Sequence, residues 1–348
     1  MNKLDGIEAG RGIAALLVLL AHATIILGLP QNLGVDGFNG LFEFGHAGVE
    51  FFFVLSGFII FYIHHQDIAR PDRLSNYWQK RFVRIVPTYW IVLALYGCIL
   101  VFSPTAQRHE REFDTIFRSI FLLPGGHGQI LGVAWTLTRE LLFYSMFSVL
   151  LINRKAGIVL FISWFSLLSI QLLFQPFPSV VLVDFTLQLF NLGFFLGMFA
   201  AKLIVSKRVI FEKALMTLGL LLFFSVGLFE SFAENIPKGW WLLHTCYLLG
   251  STLFIVGVVS YEQKHGLKVP RFLLTIGKAS YSIYLTHVIV LMIFAEVTNL
   301  FMWLSPNVFF SLCIVGSVFT GILFSKFVEF PVISVVNGWF KAKLPKVA

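Results

Sequence analysis

The sequence predicts an all-α membrane bundle of about ten transmembrane helices, and three observations carry that prediction. Of the 348 residues, 57% are hydrophobic and only 13% are charged, where soluble domains carry about 25% charged residues. Apolar stretches long enough to cross a bilayer recur about every thirty residues, which leaves too little polar surface for a soluble shell. The lysines and arginines fall between those stretches in a one-sided pattern, so the net charge of +8 is a topology signal rather than a nucleic-acid footprint.

The spans are read at 10–29, 47–64, 85–103, 133–152, 157–175, 180–202, 210–229, 240–260, 277–299 and 307–328. The first opens with Arg11 and no small-residue cleavage site follows, so it serves as its own insertion signal. Connections are short, and many carry Pro or Gly. The exception on the sparsely charged side is 104–132, whose middle, Phe113 to Leu123, is apolar enough to lie on the membrane or dip into it. The other set of connections, together with the termini, holds 21 of the 26 Lys and Arg residues. That asymmetry places both termini in the cytoplasm. Pro331 is expected to stop the tenth helix, giving one transmembrane domain over 1–330 and a short basic cytoplasmic tail over 331–348. Cys98, Cys246 and Cys313 lie singly in apolar stretches, with neither metal nor redox spacing.

Ionisable residues inside such spans are the candidates for chemistry, because each is expensive to keep there. Arg11 and His22 are eleven positions apart, which leaves them about 20° from the same helix face and about 16 Å apart along the axis. The second span opens Gly48-Val49-Glu50, followed by Phe51-Phe52-Phe53-Val54-Leu55-Ser56-Gly57-Phe58. Glu50 is either an interfacial carboxylate or part of a polar pathway. Lys80-Arg81-Phe82-Val83-Arg84 leads into Pro87-Thr88-Tyr89-Trp90. Arg81 and Arg84, three apart, share a face; they serve as membrane-surface anchors or as an anion clamp, since guanidinium forks suit phosphate oxygens.

In the fourth span, Glu140 and Tyr144 share a face at a depth comparable to that of His22, where a carboxylate could orient an imidazole. An Arg139–Glu140 structural pair is the competing reading. The ninth span, Ser280-Tyr281-Ser282-Ile283-Tyr284-Leu285-Thr286-His287, offers Ser282, Tyr284 and a second candidate base, His287, along a wet pathway or a helix contact. Glu329, before Phe330-Pro331, either pairs with the basic mouth or caps the interface. Asp184 and His244, near span ends, read as structural.

Taken in order, these motifs resemble the acyltransferase type 3 family of bacterial inner-membrane enzymes, over nearly the whole chain. The resemblance rests on Arg11-x10-His22, the Gly48 to Phe58 run, Arg81-x-x-Arg84 into Pro87-Thr88-Tyr89-Trp90, Trp135 to Glu140, Ser280 to His287 and Glu329-Phe330-Pro331. It implies transfer of an acyl group, usually acetyl from cytoplasmic acetyl-CoA, to a hydroxyl of a surface or exported polysaccharide or its lipid-linked precursor. It also implies a catalytic His22, with Arg11, Arg81 and Arg84 needed for activity or donor binding. The family often has Asp where this chain has Glu50.

The expected chemistry follows from these residues. Guanidiniums hold the phosphates of acetyl-CoA, and His22 takes the proton of the acceptor hydroxyl or forms a transient acyl-histidine. Glu140 orients His22, and Tyr144 or a ninth-span hydroxyl donates to the oxyanion. No metal and no nucleic acid are expected; acyl-CoA, a glycan acceptor and membrane lipids are the partners. A secondary transporter or a glycolipid flippase is the alternative. A transporter would more often have related halves and broken helices, and the sequence suggests neither.

Overall fold

The computed structural model describes residues 4–32, 34, 37–102, 108–125, 128–233, 241–301 and 303–343. These form α1 (Asp5–Leu27), α2 (Gly48–His64), α3 (Leu74–Phe102), α4 (Phe113–Phe121), α5 (Trp135–Ile152), α6 (Arg154–Phe174) and α7 (Val181–Thr186). They continue as α8 (Leu192–Val205), α9 (Glu212–Phe232), α10 (Trp241–His265), α11 (Arg271–Glu296), α12 (Pro306–Phe324) and α13 (Phe330–Lys343), with no strand among the described residues. Among the described residues, ten segments are long and apolar enough to cross a membrane. The protein is an all-α, multi-pass membrane bundle.

Three helix ends differ from the sequence expectation. α3 begins at Leu74, so Arg81 and Arg84 lie within a helix that continues through Pro87. Lys80 to Arg84 are mostly helix formers, and a proline removes only one intrahelical hydrogen bond where the helix is otherwise supported. The sixth span is discontinuous: α7 ends at Thr186, a 3-10 turn occupies Leu189–Asn191, and α8 starts at Leu192. Pro331 does not end the last span. A π turn over Ser325–Glu329 carries the helix unbroken from α12 into α13, and Pro331 follows directly after that turn, where the widened bonding accommodates a residue that lacks an N–H. The segment read as a tail is therefore helical to Lys343, and its last five residues lie outside those described.

The chain forms two compact units. The first comprises residues 1–65 and 189–322; the second comprises 66–188 and 323–348. In the first, α1 packs on α2, α10 and α11. One apolar layer joins Phe51, Val54 and Phe58 of α2 to Ala200 of α8 and to Ile255 and Val259 of α10. Another joins Leu19 and Leu27 of α1 to Ile283 of α11 and to Phe309 and Phe310 of α12. In lipid, contact between helices depends on close backbone approach rather than on apolar burial as such, and the α1–α11 pair is the clearest case. A Cβ added at Gly277 would stand 2.0 Å from the Glu8 carbonyl oxygen, and one at Gly12 would stand 2.9 Å from the Gly277 nitrogen.

Gly277→Ala is therefore expected to destabilise the protein by about 1–3 kcal/mol, seen as a lower melting temperature in detergent. Gly97→Ala, where nothing lies within 4 Å of the added carbon, is expected to leave melting unchanged. Equal melting of the two variants would refute the close contact.

In the second unit α3 packs against α5 and α13, and α5 against α6. The Tyr77 hydroxyl donates to the Tyr144 carbonyl at 3.1 Å, and the Tyr89 hydroxyl to the Ser119 carbonyl at 2.7 Å. The second bond fastens α4 to α3 by its polar side, with Thr115 and Ser119 buried and Phe113, Phe117 and Phe121 exposed. An outward apolar face is what the sequence led us to expect of a segment lying on the membrane.

Candidate active site

The glycine contact between α1 and α11 fixes what happens farther along both helices. His22 is ten residues beyond Gly12, and His287 is ten residues beyond Gly277. Ten residues advance each helix by about 15 Å, and at that level the two imidazoles meet with ring centroids 5.0 Å apart. Each is tied to its own helix. His287 Nδ1 lies 3.0 Å from the Ile283 carbonyl, and His22 Nδ1 lies 2.9 Å from the Val18 carbonyl. A carbonyl only accepts, so both Nδ1 atoms carry hydrogen. His287 Nε2 is then a lone pair, 3.4 Å from His22 Nδ1, and it adds a second, longer acceptor to that hydrogen. His22 Nε2 is left unprotonated and makes no hydrogen bond among the described residues. An imidazole with a fixed tautomer and one open lone pair is built to accept a proton.

His22 is half-buried and His287 is fully buried. Also on α11, Ser282 is fully buried, the Tyr284 ring lies tilted 5.9 Å from that of His287, and the buried Ser280 hydroxyl has no hydrogen-bond partner among the described residues. Eleven residues before His22, the Arg11 guanidinium lies 4.0 Å from the Glu8 carboxylate, one turn away on α1.

The second unit holds the other candidates. Arg81 is only 6% exposed, an unusual state for arginine. Its guanidinium lies over the Tyr144 ring at 5.8 Å, and its Nε has no hydrogen-bond partner. Arg84, one turn on, is half-buried. Tyr144 donates its hydroxyl to Glu140 one turn back on α5. Within its own unit His22 has the Val18 carbonyl and His287 as partners, and within theirs Tyr144 and Glu140 hold each other.

Arg139 is not paired with Glu140. It donates to the Phe185 carbonyl at 2.6 Å, the Asp184 carbonyl at 3.2 Å and the Gln188 side chain at 2.6 Å, with Trp135 and Phe185 against its plane. Where the sixth span unwinds, carbonyls lose their helical donors, and a membrane-embedded chain must satisfy them from elsewhere. Arg139 does so, at the edge of a cavity of about 290 Å³ that also includes Gln129, Trp135 and Asp184. Glu329, in the π turn, accepts from Ser325 at 3.0 Å.

Glu50 is enclosed by the protein rather than exposed at the end of its span. It is fully buried in the first turn of α2 and receives a hydrogen bond from His244, which the sequence reading had left as structural.

A family profile described as an acyltransferase domain matches residues 4–326. The chain belongs to this acyltransferase family. Among curated relatives of this membrane acyltransferase, the exopolysaccharide production protein ExoZ of Rhizobium meliloti is 28% identical over 270 residues, covering 73% of this chain and 79% of the relative. An O-acetyl transferase of Shigella phage Sf6 is 31% identical over 187 residues, covering 48% of this chain and about half, 53%, of the relative's length. No solved structure matches.

Sequence reasoning about this acyltransferase named His22 and His287 separately but did not pair them. It missed Arg139 as a backbone-satisfying cation, and it missed the ligand-like grouping around Glu50. The i, i+4 spacing of His46 and Glu50 was the one local signal for that grouping.

Proposed function

We propose that this acyltransferase moves an acyl group, by preference acetyl from cytoplasmic acetyl-CoA, to a hydroxyl of an exported or surface polysaccharide or its lipid-linked precursor. The observation that carries the reading is the open Nε2 of His22, held in its tautomer by Val18 and His287. In this mechanism His22 Nε2 takes the acceptor's hydroxyl proton. The alkoxide oxygen bonds to the thioester carbonyl carbon, and the carbon–sulfur bond then breaks. The leaving thiolate takes the proton back from His22, giving the ester, free CoA thiol and a neutral imidazole. A developing oxyanion needs a hydrogen-bond donor, and Tyr144 or an α11 hydroxyl is the candidate.

Arg81 and Arg84 bind the phosphates of the donor, and this is supported by buried Arg81, whose Nε has no hydrogen-bond partner among the described residues. Arg11 contributes positive charge on the same helix as the base. The names of the two relatives, one tied to exopolysaccharide production and one to O-acetyl transfer, support the acceptor class and the acetyl group. The one-sided Lys and Arg pattern supports cytoplasmic termini and insertion in a bacterial inner membrane. We take 1–330 as one acyltransferase domain.

The test is purified protein in proteoliposomes with acetyl-labelled acetyl-CoA and extracted glycan. Label in alkali-labile glycan esters, with matching release of CoA thiol, is the expected result. Label remaining on protein when glycan is withheld marks the acyl-histidine route. The broken sixth span favours one second reading, a secondary transporter; ion-coupled uptake into the same vesicles without CoA would replace the acyltransferase reading with it.

A further inference from the structure

The 3-10 turn Glu43–Ala47 leads directly into α2 and carries His46. It is clamped to α1, because a Cβ added at Gly45 would stand 2.1 Å from the Leu17 carbonyl oxygen. One turn later comes Glu50, and α10 brings His244 to both. One possible ligand atom from each of His46, Glu50 and His244 lies within 4.8 Å of the others. We propose that these three side chains bind a divalent transition-metal ion, with zinc as the best match.

Four features carry the assignment. Two imidazoles and one carboxylate form a three-ligand set suited to zinc, which leaves a fourth position for water. Glu50 is fully buried, its second oxygen Oε2 has no hydrogen-bond partner, and its first oxygen takes only the His244 hydrogen bond. An ionised carboxylate in that setting is costly unless a cation compensates it. The outer groups are those that metal-binding histidines use. His46 Nε2 donates to Glu230 at 3.0 Å, and Tyr247 in turn donates to the other Glu230 oxygen at 2.5 Å. With Nε2 protonated, His46 Nδ1 is left as the lone pair. The site is also accessible, since the His46 side chain is 37% exposed.

Binding replaces a proton with the ion. The hydrogen now shared between His244 Nδ1 and Glu50 Oε1 is released to water, and both atoms bond to the metal. Ligand atoms of a tetrahedral zinc site stand about 3.4 Å apart at bond lengths of about 2.1 Å. The cluster therefore has to tighten by up to about 1.4 Å at its widest pair, within reach of rotamer adjustment at half-exposed His46. The ion would tie α2 to α10 directly and to α9 through Glu230. The proposal is independent of the acyl-transfer reading.

The test uses the full chain purified with a tag free of histidine, loaded with zinc, dialysed and assayed by elemental analysis. About one zinc per chain is expected for the wild type, and less than about a fifth for the His46→Ala/His244→Ala double variant. His22→Ala is expected to keep its zinc, which excludes the His22–His287 pair as the binding site. Glu50→Gln preserves shape and covers the case in which the double variant fails to fold; its zinc affinity is expected to fall at least tenfold. Glu230→Gln is expected to retain one zinc with affinity about 10–100-fold weaker, a change that a purely structural Glu230 would not produce. Cobalt in place of zinc is expected to give the visible absorption of a four-coordinate site in the wild type and in His22→Ala, and not in the His46→Ala/His244→Ala double variant. Wild-type protein without zinc after dialysis, or equal zinc in the wild type and both ligand variants, would overturn the proposal.

Discussion

His22→Ala is expected to lower acyl transfer at least a hundredfold while leaving membrane yield and melting temperature close to wild type. A positioned general base contributes about 10²–10⁴ in rate, and His22 presents the one imidazole nitrogen of the pair that is neither protonated nor bonded. The small stability effect follows from the same contacts. The side chain is half-buried, and among the described residues its one hydrogen-bond approach to another helix is the 3.4 Å contact with His287. His287→Gln separates positioning from catalysis. Its hydrogen bond to Ile283 and full burial make it a support for His22, so kcat should fall by about tenfold with KM for acetyl-CoA unchanged. Added imidazole should partly restore His22→Ala, because the deleted ring leaves room at the open face, and should do nothing for His287→Gln. Wild-type transfer by His22→Ala would remove the proposed mechanism.

Which of these features could be read from sequence depends on the range of the contact that makes each one. Arg11 and His22 share a face because both belong to one helix, and a periodicity of 3.6 suffices to see it. The pairing of His22 with His287 depends instead on a helix register set by Gly12 and Gly277, separated by 265 residues. No local pattern contains that register, although the equal ten-residue offsets make it plain once the glycine contact is known. The ten spans were legible because bilayer thickness imposes its length on every one of them. Proline was misleading at Pro331, where a local rule predicts a helix end and the helix instead runs on through a π turn. The break after Thr186 carries no Pro or Gly at the unwound residues. Its cause lies on α5, where Arg139 takes the carbonyls that the break leaves open.

Arg81→Met is expected to weaken CoA binding by about thirtyfold or more while leaving the fold as stable as wild type, or more so. These opposite signs distinguish a ligand-binding arginine from a surface anchor. An anchoring arginine at the membrane surface keeps its guanidinium in water, and its loss changes little. Arg81 is 6% exposed, its Nε is unbonded, and no ion pair with a carboxylate offsets its charge among the described residues. The protein therefore carries an uncompensated desolvation cost, which a similarly sized apolar side chain removes. The contact with the Tyr144 ring at 5.8 Å returns only about 0.5–2 kcal/mol of that cost. A bound phosphate would use the stored charge fully, since truncating one partner of a desolvated charge pair costs about 2–5 kcal/mol, and 2 kcal/mol is about thirtyfold in affinity. Arg81→Lys should fall between wild type and Arg81→Met, because an ammonium keeps the charge but loses the planar fork that grips two oxygens. Calorimetric titration with CoA, together with thermal melting of the three proteins, reads both signs. Unchanged CoA affinity in Arg81→Met, or weakened binding accompanied by lower melting, would assign this guanidinium to structure and leave donor recognition to other residues.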